Sequence, residues 1–263
     1  GAWEAGCCRF RIPAGALESS ESRARWTELQ RKGALLTVYS AGEAARAHAD
    51  LLEANADLVH RWEIITLDGV LPSEPALSRV RALGIPILLS CIQRSVADSG
   101  KTYFSHFPRH GFPAHGVNFR DLLAQPCADG LTGVIPFDSE PWVGRAYAAL
   151  ARRLDVLVHV HLELRRNQEG RRHIDDGATA RQVAEGVLLA HQCPEIQLFM
   201  EPLVDHDRGY FPRNGLLDRR GSPRAAQRVW VHLQRLLQPG PIELMTGEPR
   251  SFLTPVGRVV LDG

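Results

Sequence analysis

Nothing in the 263 residues approaches the roughly 20 consecutive apolar positions that cross a bilayer. The opening Gly1-Ala2-Trp3-Glu4 also lacks the basic, then apolar, layout of a secretory signal. No membrane partner is expected. A block of one charge is equally absent: 31 Lys and Arg offset 30 Asp and Glu, and the arginines are spread along the chain, so no nucleic-acid footprint stands out. Cysteine is scarce, with five residues at irregular spacing. That count argues against a secreted disulfide framework and fits a reducing compartment such as the cytoplasm. The adjacent Cys7 and Cys8 suit neither an ordinary bridge nor a metal knuckle. No G-x-G-x-x-G or G-x-x-x-x-G-K-[ST] loop follows an early strand, which weakens a nucleotide-binding reading. No serine sits in a G-x-S-x-G elbow, so acyl transfer has little support. A chain that opens without an initiator methionine is expected to be part of a longer protein, with a leader or neighbouring domains outside it.

The chain does have an ordinary hydrophobic content, 44%, and a regular alternation of short apolar runs with helix-like segments. Strands are predicted near 8–12, 35–40, 63–67, 87–92, 133–137, 156–163 and 197–203. Helices are predicted over 22–31, 43–54, 75–83, 142–153, 179–190 and 224–237, with Ser73 and Asp176 as caps and Gly33 and Gly84 as closing residues. Such alternation signals βαβ units and a parallel sheet. Seven or eight repeats match a (β/α)8 barrel of TIM type, possibly incomplete or irregular. An open doubly wound parallel sheet is the alternative. The expected division is a barrel over 1–240 and a C-terminal strand or hairpin extension over 241–263. Two long connections, 94–130 and 165–177, follow strand C-terminal ends, where a barrel carries its chemistry. The first, with His106, His110 and His115 among aromatic residues, reads as a lid, a carbohydrate-stacking surface or an ordinary packed loop.

The most informative run is Val156-Leu157-Val158-His159-Val160-His161-Leu162-Glu163-Leu164. Alternate residues of a strand face opposite ways. One face is therefore wholly apolar, while the other aligns His159, His161 and Glu163. In 197–205 the same logic turns Gln197, Phe199, Glu201 and Asp205 away from the helices. In 132–140 it places Asp138 and Glu140 together at the strand end. Convergent carboxylates can flank a glycosidic bond, one as general acid and the other as nucleophile or base. With imidazoles they can instead hold a divalent cation that polarises an oxygen. His159 and His161 are the metal candidates, with Glu163 or Glu201 completing the shell; polar filling of a barrel by hydrogen-bonded histidines is the bland alternative. His48, His191 and His232 fall on predicted helices and are expected to be structural.

The segment Glu201-Pro202-Leu203-Val204-Asp205-His206-Asp207-Arg208-Gly209-Tyr210, followed by Gly215-Leu216-Leu217-Asp218-Arg219-Arg220-Gly221-Ser222-Pro223-Arg224, resembles the closing part of barrel glycoside hydrolases. Their G-L-x-D-x-x-G-x-P-[KR] turn introduces the final helix. The resemblance implies a (β/α)8 barrel with Glu140 as acid/base and Glu201 as nucleophile. Two features depart from the pattern. Ser139 stands where the group has Asn, and the group places another strand between its nucleophile and the closing turn.

Three readings follow. The first is a carbohydrate or glycoside hydrolase using Glu201 with Glu140 or Glu163, needing no cofactor. In it Asp138, Asp205, Arg208, Tyr210 and Arg213 bind a small-molecule or carbohydrate substrate. The second is a metal-dependent barrel enzyme, a sugar isomerase or a phosphate or amide hydrolase, with His159, His161, Glu163 and Glu201 as ligands. The third is a non-catalytic barrel of a larger protein, whose sign would be His159 and Glu163 paired to arginines.

Overall fold

Apolar runs of period two become strands where helices cover their apolar face. The computed structural model describes residues 8–41, 44–67, 74–96, 102–106, 129–135, 141–164, 176–201, 203–204, 215–237, 243–245, 250–254 and 257–261. Its main sheet contains β1 (Arg9–Pro13), β2 (Leu35–Ala41), β3 (Arg61–Leu67), β4 (Ile87–Val96), β5 (Thr102–His106), β6 (Gly130–Ile135), β7 (Leu157–Glu163) and β8 (Ile196–Glu201). Between them run α1 (Ser20–Arg31), α2 (Ala44–Glu53), α3 (Glu74–Ala82), α4 (Gly144–Leu154) and α5 (Asp176–Gln192), and α6 (Ala225–Leu236) follows β8. Neighbours in the path β1-β2-β3-β4-β6-β7-β8 follow chain order. A doubly wound sheet would reverse that order at a switch point. The fold is an incomplete (β/α)8 barrel of TIM type with seven parallel strands. β5 lies off the path and pairs antiparallel with β4, from Ile92 opposite His106 to Val96 opposite Thr102. Part of the 94–130 connection is thus a paired strand.

The chain forms two compact units. The first comprises Cys7–Val134 and Leu154–His159. Its strand register puts Arg11, Thr37 and Arg61 at one level of one sheet face, and Pro13, Tyr39, Glu63, Leu88 and Gly130 at the next. The opposite face carries Ile12, Val38, Trp62, Ile64, Ile87 and Leu89, all buried. Each large side chain there contributes about 1.5–3 kcal/mol relative to exposure. Ser40 Oγ joins this face to α2: it accepts from Trp62 Nε1 at 2.9 Å and lies 3.0 Å from His48 Nδ1. His48 lies on α2, as its sequence position predicted. The Ser19 side chain caps α1 by accepting from Ser22 N.

The second unit comprises Gly1–Gly6, Ile135–Arg153 and Val160–Gly263. Leu164, Val183, Val187, Leu216, Ala226 and Leu233 form a cluster that joins α5 to α6. α5 also approaches the strands closely: a methyl group at Gly186 would lie 2.8 Å from Leu162 Cδ2 and 3.1 Å from Met200 Cε. Leu162, Leu198 and Met200 thus face the helix, as the strand alternation predicts. In the same unit β9 (Glu243–Met245), β10 (Arg250–Thr254) and β11 (Gly257–Leu261) make an antiparallel sheet in the order β11-β10-β9.

The closing turn, which carries the resemblance to barrel glycoside hydrolases, has a local structural explanation. Asp218 accepts from Arg220 N at 2.8 Å and Ser222 N at 2.7 Å, Gly221 takes a φ of +80°, and Arg224 N reaches back to Leu216 O. Only glycine adopts that φ without strain. The Ser222 amide first, then that of Arg220, holds the Asp218 carboxyl below the usual carboxylate range. A depressed pKa in the folded state stabilises above the unfolded value near 4, and the contribution is lost as pH falls through the folded value. Asp218→Ala is therefore expected to melt below the wild type at pH 7, with the gap closing in acid; equal gaps at pH 7 and pH 3 would refute this.

Candidate active site

In the first unit the inward sheet face is filled with paired charge. Arg11 grips Glu63 with both ends of its guanidinium, Nε to Oε2 at 2.8 Å and Nη2 to Oε1 at 2.9 Å. The guanidinium also lies over the Tyr39 ring, 3.9 Å from its centroid. Two planar hydrogen bonds and a cation–π contact fix this arginine and leave it little freedom. One level away, Arg61 Nη1 lies 2.7 Å from His159 Nε2, and both residues are buried. Arginine can only donate, so Nε2 accepts and the neutral ring carries its proton on Nδ1. Burial, and then the charge of Arg9, lowers the Arg61 pKa from its ordinary value.

This bond bears on the metal reading. The lone pair that Nε2 would offer an ion is taken by a cationic donor. Among the described residues no group of three or more His, Cys, Asp and Glu side chains is placed to hold a metal ion. His159 Nε2 is therefore not free for a metal while it accepts from Arg61.

In the second unit the rim is built by β7 and β8, which are neighbours in the sheet. His161 on β7 stacks on Phe199 of β8, with ring centroids 5.4 Å apart and planes 16° from parallel. Both rings are buried. Glu163, half-buried, is the last residue of β7, and Glu201 is the last residue of β8. Glu163 stands two positions beyond His161, hence on the same strand face as that ring. Gln182 of α5 donates from Nε2 to the Glu163 carbonyl oxygen at 3.0 Å, at the point where β7 stops.

Glu140, Asp138, Asp205, Arg208, Tyr210 and Arg213 lie outside the described residues, as do His110 and His115. Sequence reasoning missed Arg11, Tyr39, Glu63 and Arg61. The signal for three of them was present: Arg9-Phe10-Arg11-Ile12 and Arg61-Trp62-Glu63-Ile64 alternate charged and apolar residues as β7 does. Gln182 carried no such signal, because its partner is a backbone carbonyl on a different element.

No family model matches the chain, and no curated protein matches it. Solved structures do. A family 39 glycoside hydrolase from the gut symbiont Bacteroides cellulosilyticus WH2 superposes with a TM-score of 0.62 at 12% identity, over 95% of this chain and 63% of that one. A GH2 β-galacturonidase from Eisenbergiella tayi, solved with galacturonate, gives 0.57 at 10% identity over 90% and 46%. A GH5-4 broad-specificity endoglucanase from Clostridium longisporum gives 0.51 at 11% identity over 87% and 82%. The chain spans less than two thirds of the length of the first two. At these identities the likeness is one of fold, the (β/α) barrel.

Proposed function

We propose that this chain hydrolyses glycosidic bonds, using glutamates at the C-terminal ends of its barrel strands. The observation that carries the reading is an adjacency: neighbouring strands β7 and β8 each end on a glutamate, Glu163 and Glu201. Barrel enzymes work at the C-terminal ends of their strands, and adjacent strands lie about 4.8 Å apart. Two carboxylates so placed can flank one glycosidic bond. In the proposed division of labour Glu201 attacks or activates water, while its partner protonates the leaving oxygen. Glu163 is that partner on the described residues, and Glu140, in the segment after β6, is the alternative. Asp138, Asp205, Arg208, Tyr210 and Arg213, all beyond strand ends, are assigned to the substrate's hydroxyl or carboxylate groups. The chemistry calls for no cofactor. The glycoside hydrolases that share the fold support a carbohydrate as substrate. No helix among the described residues is long and apolar enough to cross a membrane, and no membrane or nucleic-acid partner is assigned.

The test is a panel of aryl glycosides differing in sugar and anomeric configuration, run with and without chelator. Turnover that survives the chelator and is lost in Glu201→Gln supports the proposal. Turnover unchanged in that variant would sink it.

One observation favours a second reading, a non-catalytic barrel. His159 is paired to Arg61, and the Arg11–Glu63 pair fills the neighbouring level of the first unit. Such pairing is what an interior packed for stability alone would show. No turnover across the panel, with the chain folded, would select this reading.

A further inference from the structure

The end of β7 is held from both sides. On its inner face His161 stacks on Phe199, and both rings are buried. The next residue on that face of β7 is Glu163, since side chains repeat every second position, and the neighbouring strand β8 ends at Glu201. On its outer side Gln182, 3% exposed, donates its amide to the Glu163 carbonyl oxygen, the last of the strand. One turn further along α5, Gly186 lets the helix approach Leu162 so closely that a methyl group would meet Leu162 Cδ2 at 2.8 Å. Strand ends fray where nothing holds them. This one is fixed by a ring stack, a buried amide and a close helix.

We propose that His161 and Gln182 are positioning residues for Glu163, setting its height and direction beside Glu201. The inference rests on the reading of Glu163 and Glu201 as the reacting pair. Neither positioning residue touches the substrate. A displacement of about 1 Å in a reacting group can cost about 10²-fold in rate, which sets the expected effect.

Three variants are assayed on the best glycoside from the panel. His161→Ala removes the stack and is expected to lower kcat about 10²-fold with KM little changed, and to shift the pH–rate profile. His161→Phe keeps a flat ring on Phe199 and is expected to retain most of kcat. Gln182→Leu keeps bulk but removes the amide, and is expected to lower kcat about tenfold. A merely structural role would lower the melting temperature of folded variants and leave the pH–rate profile in place. If His161→Ala does not fold, Gln182→Leu and His161→Phe decide the matter. Wild-type kcat and pH profile in every variant that folds, Gln182→Leu among them, overturn the positioning roles while leaving the catalytic reading intact. Full turnover in Glu163→Gln, or none in the wild type, overturns the catalytic reading of Glu163 and the positioning roles with it.

Discussion

Glu63→Leu is expected to destabilise the protein by about 3–5 kcal/mol, a large fraction of the 5–15 kcal/mol that holds a typical domain together. The carboxylate is 1% exposed and the Arg11 side chain 13% exposed. Each charge is compensated in that setting by the other. Removing the glutamate takes two charge-assisted hydrogen bonds from a largely buried guanidinium, and the Tyr39 face returns only part of what was lost. The double variant Arg11→Met/Glu63→Leu removes both charges and is expected to recover most of the stability, because apolar groups of similar volume replace a buried pair at little cost. Urea denaturation of wild type, single and double variants checks both halves. A single variant within 1 kcal/mol of wild type would show the pair to be dispensable.

Gly130→Ala should be comparably damaging for a different reason. An added methyl group would sit 2.3 Å from Leu157 O, 2.8 Å from Leu157 Cβ and 2.7 Å from Leu88 Cδ2. The Leu88 side chain can turn aside. The Leu157 carbonyl belongs to the backbone of β7, so relief requires moving one strand from another. Overpacking of this kind costs about 1–3 kcal/mol where side chains yield, and the upper end or more is expected where a strand must move. Thermal denaturation of Gly130→Ala reads the result directly. A melting temperature within 1–2 °C of wild type would mean that the sheet gives way locally more easily than its geometry indicates.

The contrast between these two positions and β7 shows what was legible in the sequence. The strands could be placed because each is a short apolar run, and β7 and β8 could be assigned faces because their polar and apolar residues alternate. Glu163 and Glu201 could be placed at strand ends for the same reason: each closes a run of period two. β3 was predicted to begin at Glu63 but begins at Arg61, since a strand whose inner face carries Arg61 and Glu63 has too few apolar residues at its start to stand out. β5 was hidden because Thr102-Tyr103-Phe104-Ser105-His106 lies in a connection crowded with proline, glycine and histidine. The ion pair and the histidine contact were beyond reach. Arg11 and Glu63 are 52 residues apart, and Arg61 and His159 are 98 apart. Only the register of parallel strands brings them together. That register also gives His159 a partner in Arg61, at its Nε2.

The closing turn carries a related lesson. Its residues suggested a group of enzymes, yet each has a local task here: Asp218 takes two amides, Gly221 supplies the left-handed φ, and Arg224 N ties the loop back to Leu216 O. The turn explains how α6 begins. The catalytic reading stands instead on the two strand ends.

Release of aglycone by purified wild type, Glu201→Gln and Glu163→Gln, at equal folded concentration on the best aryl glycoside of the panel, tests that reading most directly. Turnover by the wild type and its loss in Glu201→Gln, with circular dichroism and melting temperature unchanged, is the predicted result. Equal turnover by all three proteins would contradict it and move the chemistry, if there is any, away from this rim.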